Sequence, residues 1–95
     1  MQDIQTLNVR AMQQGDLEMT ACSAHAYAFL ADRYAVMACG ASFGWGYGPV
    51  LVSRGPRTVE SLKGKRVAIP GRWTTAALLL RIEAPDVVPV EVMFD

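Results

Sequence analysis

The sequence carries no excess of charge. Nine basic residues balance nine acidic ones among 95, and the isoelectric point lies near 6.5. That leaves no electrostatic footprint for nucleic acid. No apolar run approaches the roughly 18 residues of a membrane-spanning helix. The opening Met1-Gln2-Asp3-Ile4-Gln5 lacks the basic and apolar regions of a signal peptide. Two cysteines without a secretory signal do not make a disulfide framework. The expectation is a cytoplasmic setting, with neither a membrane nor a nucleic acid as partner. Charged residues make up only 19% and hydrophobic ones 52%, against about 25% and 45–50% in an ordinary soluble domain. A chain this short hides only roughly 60–65% of its unfolded surface. The oily excess therefore predicts a segment of a larger α/β protein, or one completed by a partner.

Helices and strands are predicted to alternate. Ile4, Leu7, Ala11 and Met12 recur at helical spacing from Ile4 to Gln14, with Asp3 as N-cap and Gly15 as stop. Leu17, Met19 and Ala21 alternate with polar residues, as in a short strand. Ser23 opens an Ala-rich helix, Ala24 to Ala31, whose apolar residues run nearly all round and predict burial. Tyr34 to Cys39 and Pro49 to Val52 read as further strands, and Arg54-Gly55-Pro56-Arg57 as a linker. A helical turn over Val59–Leu62, a strand over Arg66–Ile69, a helix from Thr74 or its neighbour through Ile82 and a strand over Val87–Phe94 follow. Pro85 ends that helix, since the residue before a proline avoids the α region. The alternation argues for α/β with largely parallel pairing.

Most chemistry-bearing patterns dissolve on inspection. Gly44-Trp45-Gly46-Tyr47-Gly48 fails as a dinucleotide fingerprint because its third glycine position is Pro49, and a strand follows. Gly64-Lys65 is followed by Arg66 and fails as a phosphate loop. A bend with close backbone approach is the better reading of the glycines. Cys22 and His25 are spaced like metal ligands, but no second close pair completes a zinc set. His25 falls in an apolar helix with no carboxylate spaced to orient it, which favours a structural, hydrogen-bonded histidine. The informative stretch is Ile69-Pro70-Gly71-Arg72-Trp73-Thr74-Thr75-Ala76. There a strand ends, a turn follows and a helix starts with two hydroxyl residues. Free N–H groups and the positive end of the helix dipole converge at such a point and suit a carboxylate or phosphate. Capping by Thr74 or Thr75 is the competing reading. Ser23 stands at a similar junction, and two facing junctions define a cleft of the kind found beyond strand ends in open α/β sheets.

These segments together resemble the 1,4-dihydroxy-6-naphthoate synthase family of the futalosine route to menaquinone. The matching runs are Asp3–Asn8, Ser23–Leu30, Gly46–Val52 and, strongest, Leu62–Leu80. The Pro-Gly-x-x-Thr-Thr-Ala helix start, in register with Ser-x-His-Ala-Tyr, is the most specific element. The resemblance implies a type II periplasmic-binding-protein-like α/β fold, of which this chain holds pieces of two lobes: residues 1–52 in the first and 53–95 in the second. It implies a lyase that converts cyclic de-hypoxanthine futalosine to 1,4-dihydroxy-6-naphthoate without metal or organic cofactor. Asn8, Ser23, Thr75 and Ala76 match pocket positions for a small aromatic carboxylate.

The departures from the family are as telling. Its opening strand would precede Met1, and its catalytic histidine would follow Asp95. His25 does not match that histidine, so no catalytic residue is carried over. An internal, inactive part is expected, with open sheet edges that favour self-association. Chorismate dehydratase on the same fold and a non-catalytic solute-binding module are the alternatives.

Overall fold

The computed structural model describes residues 1–93. Its elements are α1 (Ile4–Gln13), α2 (Ala24–Tyr27), a 3₁₀ turn (Glu60–Leu62), β1 (Arg66–Ile69), α3 (Thr75–Glu83) and β2 (Val88–Glu91). Asp3 begins α1 as its residue type requires: its carboxylate accepts from the Thr6 amide at 2.8 Å. Gly15, at φ 61°, takes the left-handed conformation that lets the chain leave the helix. Thr74 caps α3 in the same manner as Asp3 caps α1, its Oγ1 accepting from the Ala77 amide.

β1, α3 and β2 form a β–α–β unit with a parallel two-stranded sheet, Arg66 opposite Val88 and Ile69 opposite Glu91. The ladder is closed at its ends by Val88 N–H on the Lys65 carbonyl and Val92 N–H on that of Ile69. Pro89 in β2 has no N–H to give, which suits a strand at an edge. Ile69, Ala77, Leu80 and Ala84 pack between helix and sheet, joined by Val67 and Val87. A second core gathers Ala11, Ala26 and Leu30 from α1 and the α2 region, with Met12, Cys22, Tyr27 and Tyr34 around them. Trp73, just before α3, packs into this second core and so ties the two together.

Several expectations fail here, for one physical reason. Leu17–Ala21, Tyr34–Cys39 and Pro49–Val52 are not strands. A strand needs a backbone partner, and among the described residues only β1 and β2 pair. The first two segments are instead linked by a side chain, Tyr34 Oη donating to the Leu17 carbonyl at 3.0 Å. The glycine-rich stretch lies exposed, and close approach occurs only between Gly44 and Tyr47. The helix expected to run to Ala31 is α-helical only to Tyr27 and continues as tight turns to Arg33. It is not buried all round: Ala26 and Leu30 face the core, while Phe29 is 52% exposed. The last strand is confined to Val88–Glu91, and Phe94, its expected end, lies outside the described residues.

Candidate functional site

The starts of α2 and α3, expected to face each other as strand-to-helix junctions, are joined through Asn8, although only α3 follows a strand. This residue is on the inner face of α1 and fully buried. Its Oδ1 accepts from the Ser23 amide at 2.9 Å, and its Nδ2 donates to Ser23 Oγ at 3.0 Å and to the Trp73 carbonyl at 3.3 Å. One side chain therefore binds the residue before α2 and Trp73, two residues before α3. Both amide ends are satisfied, which is the condition for burying such a group at little cost.

A second link joins the same junctions. His25 is buried, and its Nδ1 donates to the Thr74 carbonyl at 3.1 Å. A carbonyl can only accept, so that nitrogen carries the proton in this bond. The ring also packs against Phe29 and Trp73, with centroids 6.0 and 5.9 Å away. His25 thus has the structural, hydrogen-bonded setting that its apolar surroundings predicted. Its partner is backbone, which no carboxylate spacing in the sequence could have revealed.

The α3 start separates the two hydroxyls that the sequence left equivalent. Thr74 is 3% exposed and fully engaged: Oγ1 accepts from Ala77 N–H at 3.3 Å and donates to the Gly71 carbonyl at 2.7 Å. Capping is therefore the work of Thr74. Thr75 and Ala76 follow as the first two residues of the helix, both half-buried. Their N–H groups and the Thr75 hydroxyl make no hydrogen bond among the described residues. Ser23 likewise makes no side-chain capping bond to α2. The arrangement offers uncommitted donors at the positive end of a helix, the chemistry that holds an anion.

The turn leading into α3 is braced by residues that the sequence did not single out. Gln5 Oε1 accepts from Trp73 N–H at 3.1 Å, and Gln5 Nε2 donates to Glu91 Oε1 at 3.3 Å. Glu91 Oε1 also accepts from Arg72 N–H at 2.7 Å, with the Arg72 guanidinium 3.5 Å away. Gly71 is buried at φ 153°, and a Cβ there would run into the Gln5 side chain. Polar residues so far apart along the chain give no local signal; only Pro70-Gly71 marked the turn. Cys22, half-buried beside this region, has its thiol pKa pushed up by burial, the opposite of what a reactive thiolate needs. No three His, Cys, Asp or Glu side chains converge among the described residues, nor is any described helix long and apolar enough to cross a membrane.

Residues 1–95 match the menaquinone biosynthesis family. A protein of Thermus thermophilus named 1,4-dihydroxy-6-naphthoate synthase is 46% identical over the whole chain, which spans 34% of that relative. One of Streptomyces coelicolor with the same name is 34% identical over 87 residues, covering 92% of this chain and 30% of the relative. The chain thus spans about a third of the length of these curated relatives. A crystal structure of a protein from Archaeoglobus fulgidus superposes with a TM-score of 0.90 at 52% identity, over 99% of this chain and 34% of that one. With its whole length matched, this chain belongs to the menaquinone biosynthesis family.

Proposed function

We propose that this chain forms part of the substrate pocket of a 1,4-dihydroxy-6-naphthoate synthase, a cytoplasmic lyase acting on cyclic de-hypoxanthine futalosine. The names of the two curated relatives support this reading. So does the α3 start, and one observation carries it: Thr74 occupies the cap, and the Thr75 hydroxyl makes no hydrogen bond among the described residues. In this reading the fold is of the type II periplasmic-binding kind, residues 1–52 lie in the first lobe and 53–95 in the second, and the pocket lies where they meet.

The chemistry assigned to these residues is binding and orientation. The carboxylate of an aromatic substrate accepts from the Thr75 hydroxyl and from the Thr75 and Ala76 amides. The Ser23 hydroxyl adds a donor from the other junction, and Asn8 stands behind it. Preorganised donors at a helix start hold an anion without reorganisation. The family's reaction calls for no metal or organic cofactor. Proton transfer belongs to a histidine that no residue of this chain matches, so the chain alone is expected to bind without turning substrate over. General acid–base catalysis typically supplies about 10²–10⁴-fold.

Titration with 1,4-dihydroxy-6-naphthoate, read by its fluorescence, tests the proposal. A hydrogen bond to a charged group contributes about 1.5–3 kcal/mol, so Thr75→Ala should weaken binding by roughly ten- to a hundred-fold. Its melting temperature should stay close to the parental one. Unchanged affinity in Thr75→Ala would refute the pocket assignment. Preferential binding of chorismate in the same titration would transfer the chain to the sister dehydratase.

A further inference from the structure

We propose that Asn8 is a positioning residue that sets the polarity of the Ser23 hydroxyl, turning it outward as a donor to the ligand. This rests on the reading of Ser23 as a pocket residue and deepens it.

Two partners of Asn8 each have only one possible hydrogen-bonding role. The Ser23 backbone N–H can only donate, so the Asn8 atom facing it at 2.9 Å is the carbonyl oxygen Oδ1. The Trp73 carbonyl can only accept, so the Asn8 atom facing it at 3.3 Å is the amide nitrogen Nδ2. Together they settle which way the Asn8 amide points, a choice that usually has to be inferred from its surroundings. The consequence falls on Ser23. Its Oγ lies 3.0 Å from Nδ2, a pure donor, and must accept there. A hydroxyl has one proton and two lone pairs. With a lone pair held by Asn8, the proton is directed elsewhere, and Ser23 makes no capping bond to α2. Asn8 is fully buried, so water does not compete for its amide. The ligand chemistry that fits an outward O–H is an acceptor: a carboxylate or carbonyl oxygen. The same side chain holds the Trp73 carbonyl and so keeps the α3 donors in register with Ser23.

Asn8→Asp tests this with almost no change of shape. Oδ1 still accepts from the Ser23 amide, but the second oxygen cannot donate, and Ser23 O–H turns inward to serve it. In the parental chain, Ser23→Ala should weaken 1,4-dihydroxy-6-naphthoate binding about tenfold. In the Asn8→Asp background the same substitution should change affinity less than twofold, because the hydroxyl is already withdrawn. An equal tenfold loss in both backgrounds would overturn the proposal. A second measurement needs neither ligand nor the Asn8 variant. In ¹⁵N-edited NMR of the free parental chain, the Asn8 Nδ2 protons should exchange slowly, and one of them should move on Ser23→Ala. Fast exchange, or resonances unmoved by Ser23→Ala, would overturn the proposal even if Asn8→Asp fails to fold. A parental chain that does not bind the naphthoate would instead sink the functional reading, while the Asn8 resonances still decide the polarity of Ser23.

Discussion

Replacing Thr74 by alanine should cost folding stability, and the loss should exceed that of replacing Thr75. Thr74 is 3% exposed and makes two hydrogen bonds through one hydroxyl. The bond from Ala77 N–H is long at 3.3 Å, which places the cap near the lower part of the about 0.5–2 kcal/mol range for such residues. The bond to the Gly71 carbonyl is short at 2.7 Å and adds a net contribution of about 0.5–1.5 kcal/mol. That carbonyl keeps a second donor, the Thr74 amide at 3.2 Å, so it is not orphaned in the variant. The total is about 1–2.5 kcal/mol. At about 4–8 °C per kcal/mol for a chain near this size, the melting temperature should fall by roughly 10 °C. Thr74→Ser keeps both bonds and loses one buried methyl, about 1 kcal/mol or less. Thermal melts followed by far-UV circular dichroism on Thr74→Ala, Thr74→Ser and Thr75→Ala rank the three. If Thr75→Ala were the destabilised protein and Thr74→Ala melted like the parent, the cap would belong to Thr75. The free hydroxyl on which the pocket assignment depends would then vanish.

Three further outcomes follow from other parts of the molecule. Gly71→Ala should lower the urea midpoint by the equivalent of about 1–3 kcal/mol, because φ 153° is strained for any side chain and the Cβ meets Gln5; adding Gln5→Ala should recover only the steric share. On acidification α1 should lose its cap: the Thr6 amide on Asp3 and the Arg10 guanidinium on Asp16 hold both carboxyl pKa values below the ordinary 3.8. A depressed folded pKa contributes stability that is present above the unfolded value and lost as pH falls through the folded one. Helicity should therefore decline below pH 3.8, and Asp3→Asn, which still caps but does not titrate there, should flatten the decline. Finally, Phe43, Trp45, Val50 and Val52 are each more than three-quarters exposed, and both strands have a free edge among the described residues. Sedimentation should show concentration-dependent association; a monomer that unfolds cooperatively at every concentration would contradict it.

Local sequence determined whatever depends on neighbours along the chain. Asp3, Gly15 and Pro85 bounded their helices because capping, left-handed φ and the pre-proline restriction act over a few residues. The Arg66–Ile69 strand and the helix through Ile82 were legible for the same reason, and their parallel pairing followed from the alternation of elements. The helix start at Thr74–Thr75 was legible as a candidate anion site, but the division of labour between the two threonines was not. Tertiary structure decided it, since the Gly71 carbonyl and Ala77 amide had to arrive together around Oγ1 of Thr74. It also decided against three strands, because β pairing needs a partner backbone that periodicity cannot supply. Above all it decided the hydrogen-bond partners of Asn8. The family resemblance alone marked Asn8 as a pocket position. Its residue type and helix spacing gave no sign of its partners, because Ser23 and Trp73 lie 15 and 65 positions away and only the fold closes them around its amide.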